Sequence, residues 1–329
     1  MNKSFKGTPE FGTLEYTVNG VLHREDGPAF IQYVNGVVYL ERWYIDGLEH
    51  RPDGGPTTTM YENYSVTMLR WCTRDLLHRD NKPALIYYIA GEISMEYWYR
   101  MGELHREDGP AYLSYDKGSV VEHCWYKDGK KHRVDSPAEQ RIVRGYPNKY
   151  WYQHGELHRT DGPAKIEYIH SIGLWESTWY AHGKIYREGG PTFVACLRDG
   201  TLFQETWQEN DRLHRVDGPA VISYNSGAIS GQEWYKNGIR HRIGGPAETN
   251  YVNGAIHSET WYKDGSYDYA GTLAVIVYRP DLDPRAALQH RKKSGDEFRD
   301  YVRGEAIHDA LRVLPVSIRK EIAAYYCYQ

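Results

Sequence analysis

Cysteine, phenylalanine and methionine are scarce: four, six and five among 329 residues. The cysteines, at 72, 124, 196 and 327, lie far apart, and no CxxC pair occurs. That argues against a ribbon-type zinc site and a disulfide-stapled scaffold, and reads as reduced thiols in a cytoplasmic protein. No stretch approaches the ~18 apolar residues of a membrane-spanning helix. Met1 to Gly7 contain no apolar segment, so no secretion signal is expected. A glycine-rich phosphate loop, HExxH and a serine–histidine–aspartate signature are all missing. No catalytic residue, metal site or cofactor is therefore expected, and the chain does not read as an enzyme.

What is abundant is aromatic and periodic. There are 30 Tyr, 10 Trp and 32 Gly. Tyr and Trp favour strands with one apolar and one wetter side, and Gly marks tight turns. The formal charge is −4, unevenly placed: residues 270–329 carry ten basic and eight acidic residues, leaving a net −6 on residues 1–269. An acidic array is not the usual footprint of a nucleic-acid binder.

The phrase His105-Arg106-Glu107-Asp108-Gly109-Pro110-Ala111 recurs, whole or degraded, nine times at intervals of 26 to 28 residues, starting at 23, 50, 78, 105, 132, 158, 186, 214 and 241. Trp43, Trp71, Trp98, Trp125, Trp151, Trp179, Trp207, Trp234 and Trp261 keep step with it. A fixed period of this size signals a repeat architecture. Each copy contains two turn dipeptides, such as Asn35-Gly36 and Asp46-Gly47, suited to type I′ hairpins. Ala29–Tyr33 and Val37–Tyr44 read as paired strands. His-Arg and Pro-Ala read as one bent strand with the Asp-Gly-Pro kink between them. The expected fold is mainly β: an elongated, single-sheet antiparallel β-meander of about nine ~27-residue repeats. Adjacent repeats should share a stripe of Trp and Tyr. Residues 1–15 form a lead-in, 16–269 the array and 270–329 a last strand plus a small α-helical cap. Thr272–Tyr278 would be that strand, and Asp296–Val313 and Pro315–Tyr326 would be helices.

Trp98-Tyr99, Gly102 and His105 give the repeat a resemblance to the MORN repeat, a β-hairpin module, in the style of bacterial, phage and giant-virus arrays. It covers roughly residues 16–269, not the tail. The spacing here is longer, and Arg106 stands where that family usually has Gly. The resemblance implies a scaffold that binds proteins, sometimes lipids, and often dimerises.

The His ladder (His23, His50, His78, His105, His132, His158, His214, His241) is too widely spaced for a shared metal, at ~9–10 Å per repeat. Each imidazole is expected to pack on a Trp and bond a backbone carbonyl. The Arg ladder (Arg24, Arg51, Arg79, Arg106, Arg133, Arg159, Arg187, Arg215, Arg242) reads as a clamp on Asp or a carbonyl, or as an anion track. Because Asn81, Gly189 and Gly244 replace the Asp while Arg persists, stacking on an aromatic ring is a further expected role. Glu41, Glu96, Glu122, Glu176, Glu205, Glu233 and Glu259 read as a solvated face or as cross-strand partners of Arg or Lys. His290-Arg291-Lys292-Lys293 reads as a helix end.

Residues repeated in every copy, such as Trp98, Gly102, His105, Arg106, Asp108, Gly109 and Pro110, build the repeat. Binding is expected at bulky or charged residues where the pattern is free: Tyr61, Tyr64, Arg70, Arg74, Tyr146, Asn148, Lys149, Trp175, Phe203 and Arg212. The leading expectation is a non-enzymatic protein-binding scaffold in the cytoplasm. A phage or viral protein engaging or inhibiting a host protein, in the host cytoplasm, is one form of it. The alternatives are a polyanion or nucleic-acid binder using the Arg ladder, which the acidic array disfavours, and a docking platform for an activity in the tail near His290 or His308. A homodimer through the tail is a further option.

Overall fold

The computed structural model describes residues 1–267, 275–277, 288–293 and 296–302. Every regular element among them is a β-strand. The chain divides into two compact units, Met1–Tyr168 and Ile169–Gln329. Each is built on an antiparallel meander.

One repeat holds two hairpins of different size. After Pro110, Tyr112–Asp116 and Ser119–Cys124 form a long hairpin. Tyr126–Lys127 and Lys130–Lys131 then form a short one. Both use the expected turns, with Asn35 and Gly36 at φ 52° and 75°, and Asp46 and Gly47 at 50° and 81°. Three turns keep this geometry without glycine: Tyr64, Asp75 and Asp211 hold φ of 64°, 69° and 59°.

The return strand is not continuous, as the sequence had suggested for Val37–Tyr44. Val37–Arg42 belongs to the long hairpin, Trp43 lies outside any strand, and Tyr44–Ile45 opens the short hairpin. The reason is in the backbone. Trp98 N–H donates to the Ala111 carbonyl at 2.7 Å, and its own carbonyl accepts from His105 N–H at 3.0 Å. The chain thus leaves the long-hairpin sheet with the backbone N–H and carbonyl of the corner Trp both paired. The same pair of bonds recurs at Trp71, Trp125, Trp151, Trp207 and Trp234. The Ala partners, including Ala84, Ala111, Ala138, Ala220 and Ala247, are fully buried, and Thr57 and Thr192, which take the place in two copies, are nearly so.

His-Arg and Pro-Ala are not one bent strand either. His105–Pro110 is a loop. Arg106 N–H instead meets the Tyr126 carbonyl of the next short hairpin at 3.3 Å, and Pro110 has no donor to offer a ladder. Short hairpins are also tied to one another: Gly102 N–H donates to Leu77 and Gly129 N–H to Leu104, at 2.8 and 3.0 Å. A row of short hairpins therefore lies against one face of the long ones.

The core is the layer between them. Tyr97, Tyr112, Cys124 and Glu139 are successive cross-strand neighbours on that face. Tyr97 meets Tyr112 at 4.9 Å and Tyr99, of a short hairpin, at 6.4 Å. The residue before each His is usually Leu, as at Leu22, Leu77, Leu104 and Leu157. At Glu49, Lys131 and Arg240 it is charged, and the sheet opposite is matched: Thr58 and Arg70, Glu139, and Glu233 with Glu248.

Two boundary expectations change. The lead-in is a hairpin of its own, Asn2–Gly7 with Phe11–Val18. Tyr16 takes the Trp place there, with Arg24 4.2 Å above its ring. At the other end, Val275–Val277 is a strand as expected, but Asp296–Val302 is a strand rather than the start of a helix. It pairs antiparallel with Leu288–Lys293 and parallel with Val275–Val277. His290 to Lys293 therefore lie in a strand, not at a helix end. Ser294-Gly295 between them is a turn dipeptide, which is the local signal that competes with the helical period. The remainder of the expected cap, 303–329 with His308 and Cys327, lies outside the described residues.

Candidate interaction surface

The Arg and His ladders lie in the loops that follow the short hairpins. In all nine copies the Arg Nη1 donates to the carbonyl of the repeat's Pro, at 3.0–3.5 Å. In eight the guanidinium lies 3.7–4.3 Å over the repeat's Trp ring. Arg24, Arg51, Arg106 and Arg159 also give Nε to the Asp two residues on. That bond, before any through-space attraction, holds the Asp26, Asp53, Asp108 and Asp161 carboxyls below the usual range. Both expected roles, clamp and stack, are therefore present together. The Asp-Gly-Pro glycine makes room for this: a Cβ on Gly109 would stand 2.6 Å from Arg106 Cζ. Where Lys82 and Ser136 occupy that place, Arg79 and Arg133 keep the carbonyl bond but have no Nε–carboxylate bond.

The His ladder differs from expectation. Nδ1 of His78, His105, His132, His214 and His241 accepts from a backbone N–H in the next short-hairpin turn, at 3.1–3.4 Å. It does not donate to a carbonyl, because the turn presents its amide there. Where the backbone N–H is the sole partner of Nδ1, as at His78, His132 and His214, the neutral imidazole carries its proton on Nε2. Where the turn residue is Asp46, Asp128 or Asp264, a carboxylate oxygen also stands 2.9–3.0 Å from Nδ1. At these three positions Nδ1 has both a donor and an acceptor beside it, and an Nδ1–H bond to the carboxylate would leave Nε2 as the acceptor.

The recurring glutamates are not simply solvated. Glu41, Glu96 and Glu205 accept the hydroxyl of Tyr61, Tyr115 and Tyr224 on the next hairpin, at 2.5–2.9 Å. Burial, then the Glu partner, pushes the Tyr61 and Tyr224 phenols up to about 12. Glu122 pairs with Arg141 and Glu233 with Arg240.

No family model and no curated protein matches the chain. The reading of its surface rests on its own geometry.

The free positions chosen from sequence separate into two groups. Arg70 lies on the core side and pairs with buried Glu49. Asn148 is buried, accepting from Tyr168 N–H at 2.9 Å, and Tyr146 stacks on Tyr168 with ring centroids 4.0 Å apart. Lys149 is half-buried on the same hairpin, and Trp175 is half-buried opposite Cys196. Tyr61 is half-buried and held by Glu41. These build the fold. Tyr64, Arg74, Phe203 and Arg212 are exposed, Tyr64 by 85%. Tyr64 tips a long hairpin and Arg74 a short one, while Phe203 is the extra residue of a β-bulge and Arg212 sits on a short hairpin. Tyr64 and Arg74 belong to the first unit, and Phe203 and Arg212 to the second.

Two concavities add what the sequence did not reveal. One, of about 510 Å³, opens between the tips of two long hairpins beside Val38, Tyr39, Tyr61 and Asn63. The other, of about 400 Å³, lies between successive His-Arg loops, lined by His105, Arg106, Trp125, Tyr126, Lys127 and Arg133 among others. Glu122, Cys124 and Glu139 bring three ligand-type atoms within 4.8 Å. Lys131 and Arg141 already neutralise those carboxylates. Burial, then Glu139, pushes the Cys124 thiol up to about 12. A cation would have to displace two others there.

Proposed function

We propose that the protein is a non-enzymatic binding scaffold that engages a protein partner through its hairpin tips. One observation carries this. The recurring Trp, Arg and His make bonds within the array, whereas variable residues such as Tyr64 and Phe203 protrude from it. An exposed aromatic is the residue type that anchors protein interfaces. The resemblance to MORN arrays points the same way, and a phage or viral protein acting on a host protein in the cytoplasm fits that use.

The second reading, a polyanion binder along the whole Arg ladder, is weakened because every Arg already gives Nη1 to a carbonyl and lies on a ring. The test is capture from a cytosolic extract with and without nuclease at two salt concentrations, comparing the natural chain with Tyr64→Ser and Phe203→Ser. A protein retained through nuclease and salt, and lost with either variant, supports the scaffold. Recovery of nucleic acid that disappears at higher salt moves the assignment to the Arg ladder.

A further inference from the structure

We infer that the slot between the His105 and His132 loops is a binding site for one anionic group, a carboxylate or phosphate. It lies at the loop end of the repeats and does not rest on the hairpin-tip reading.

Its walls present several donors beside one carboxylate, Glu107. The His105 side chain is only 6% exposed. In the Nε2-protonated tautomer, in which Nδ1 accepts Asp128 N–H at 3.1 Å, Nε2 is a buried donor with no hydrogen-bond partner. Glu107 Oε1 is 3.5 Å away but lacks hydrogen-bond geometry, and Glu107 is 79% exposed. A buried donor left unpaired costs ~1–3 kcal/mol, so an acceptor entering the slot recovers it.

The slot also holds positive charge that the protein does not neutralise. Arg106 has Asp108, but Arg133 gives only Nη1, to the Pro137 carbonyl, and Asp135 does not reach it. Lys127 has no ion pair, and its cross-strand neighbour is Lys130. Among the short hairpins this register position carries opposite charges at Arg100 and Glu103 and at Glu209 and Arg212. Like charges face each other only at Lys127 and Lys130 among the described residues, an arrangement that disfavours the hairpin unless an anion stands nearby. Trp125 and Tyr126 add aromatic surface to its lining. In the second unit the equivalent positions are Arg215, Lys236 and Arg242, so His214 is the other imidazole expected to respond.

The experiment records imidazole nitrogen and ring-proton shifts of the full chain. One arm titrates inorganic phosphate, the other a capped glutamyl dipeptide. A saturable shift at His105, with or without His214, supports the site. Saturation by phosphate assigns a free anion, and saturation by the dipeptide alone assigns an acidic side chain of a partner. Lys127→Met, at an exposed position outside the core, should weaken binding roughly 2–5-fold. Arg133→Gln should weaken it further, with the Lys127 variant guarding against a folding defect. Absence of a saturable His105 shift in both arms, a uniform drift of all imidazoles, or unchanged affinity in Lys127→Met overturns the inference.

Discussion

Tyr64→Gly separates the cost of the hairpin turn from the use of its side chain. Tyr64 holds φ 64° and is 85% exposed. A residue with a Cβ costs ~1–2 kcal/mol in this left-handed region. Glycine removes that cost but adds ~0.5–1 kcal/mol of unfolded-state entropy. The net is a gain of ~0.5–1 kcal/mol, because the Tyr64 ring makes no hydrogen bond or ring contact to lose. With a urea slope of ~1–3 kcal/mol per M, the midpoint should rise by roughly 0.2–1 M. Asp75→Gly is the counter-case. It relieves the same kind of strain, at φ 69°, but deletes the bond from Glu49 N–H to the Asp75 carboxylate at 2.6 Å. A hydrogen bond to a charged group is worth ~1.5–3 kcal/mol, so this variant should lose ~1–2 kcal/mol net. Urea unfolding followed by Trp fluorescence reads both. If Tyr64→Gly loses stability, or the two variants shift together, the reasoning from turn strain and local bonds is wrong. A Tyr64→Gly protein that is more stable yet fails to capture its partner would place the strain in the service of binding.

Other perturbations test the interior. Ala111→Val should lose ~1–3 kcal/mol by overpacking a fully buried site, and a thermal midpoint equal to the natural chain's would show the corner to be loose. Burial, ahead of nearby acidic groups, pushes the Cys72 and Cys124 thiols up to about 11 and 12. Neither should react with a thiol reagent at pH 8 until the chain unfolds, and prompt native-state labelling of either would contradict that. The phenols of Tyr61, Tyr97 and Tyr224 are raised to about 12, first by burial. Their folded values exceed the ordinary value near 10. Their contribution to stability is thus full below pH ~10 and lost as pH rises towards 12. Phenolate absorbance should lag that of the unfolded chain across this window, and coincident curves would refute the burial.

Period, turns and strand type were legible because each depends on local chemistry. Asn35-Gly36 and Asp46-Gly47 specify their own backbone. Persistence of Arg where Asn81 and Gly244 stand implied a role beyond the Asp, and the Trp ring supplies it. What escaped depends on partners far along the chain. Strand pattern alone could not reveal that Trp98 bonds Ala111, since that bond forms only after the corner is made. His105 bonds a turn 23 residues later, so whether Nδ1 donates or accepts was decided by the next repeat's geometry. Arg70 and Asn148 departed from the pattern, as the exposed Tyr64 does, yet their departures compensate other buried polar groups. Departure from a repeat marks either a partner outside or a mismatch inside.

That distinction can be applied residue by residue. Glu49, Lys131 and Arg240 each break the Leu pattern, and each is answered by a matched charge within its own or the adjoining hairpin. Their variation is self-contained, and breaking one such pair would leave an uncompensated charge against the core. In the same stretch Lys127 has no carboxylate partner, and Arg133 has a carbonyl and the Trp125 ring but no carboxylate. A fold that compensates its interior departures so consistently has no internal reason to leave these two open. The imbalance, with the unpaired Nε2 of His105 beside it, is therefore better explained by a group that arrives from outside than by the needs of the array.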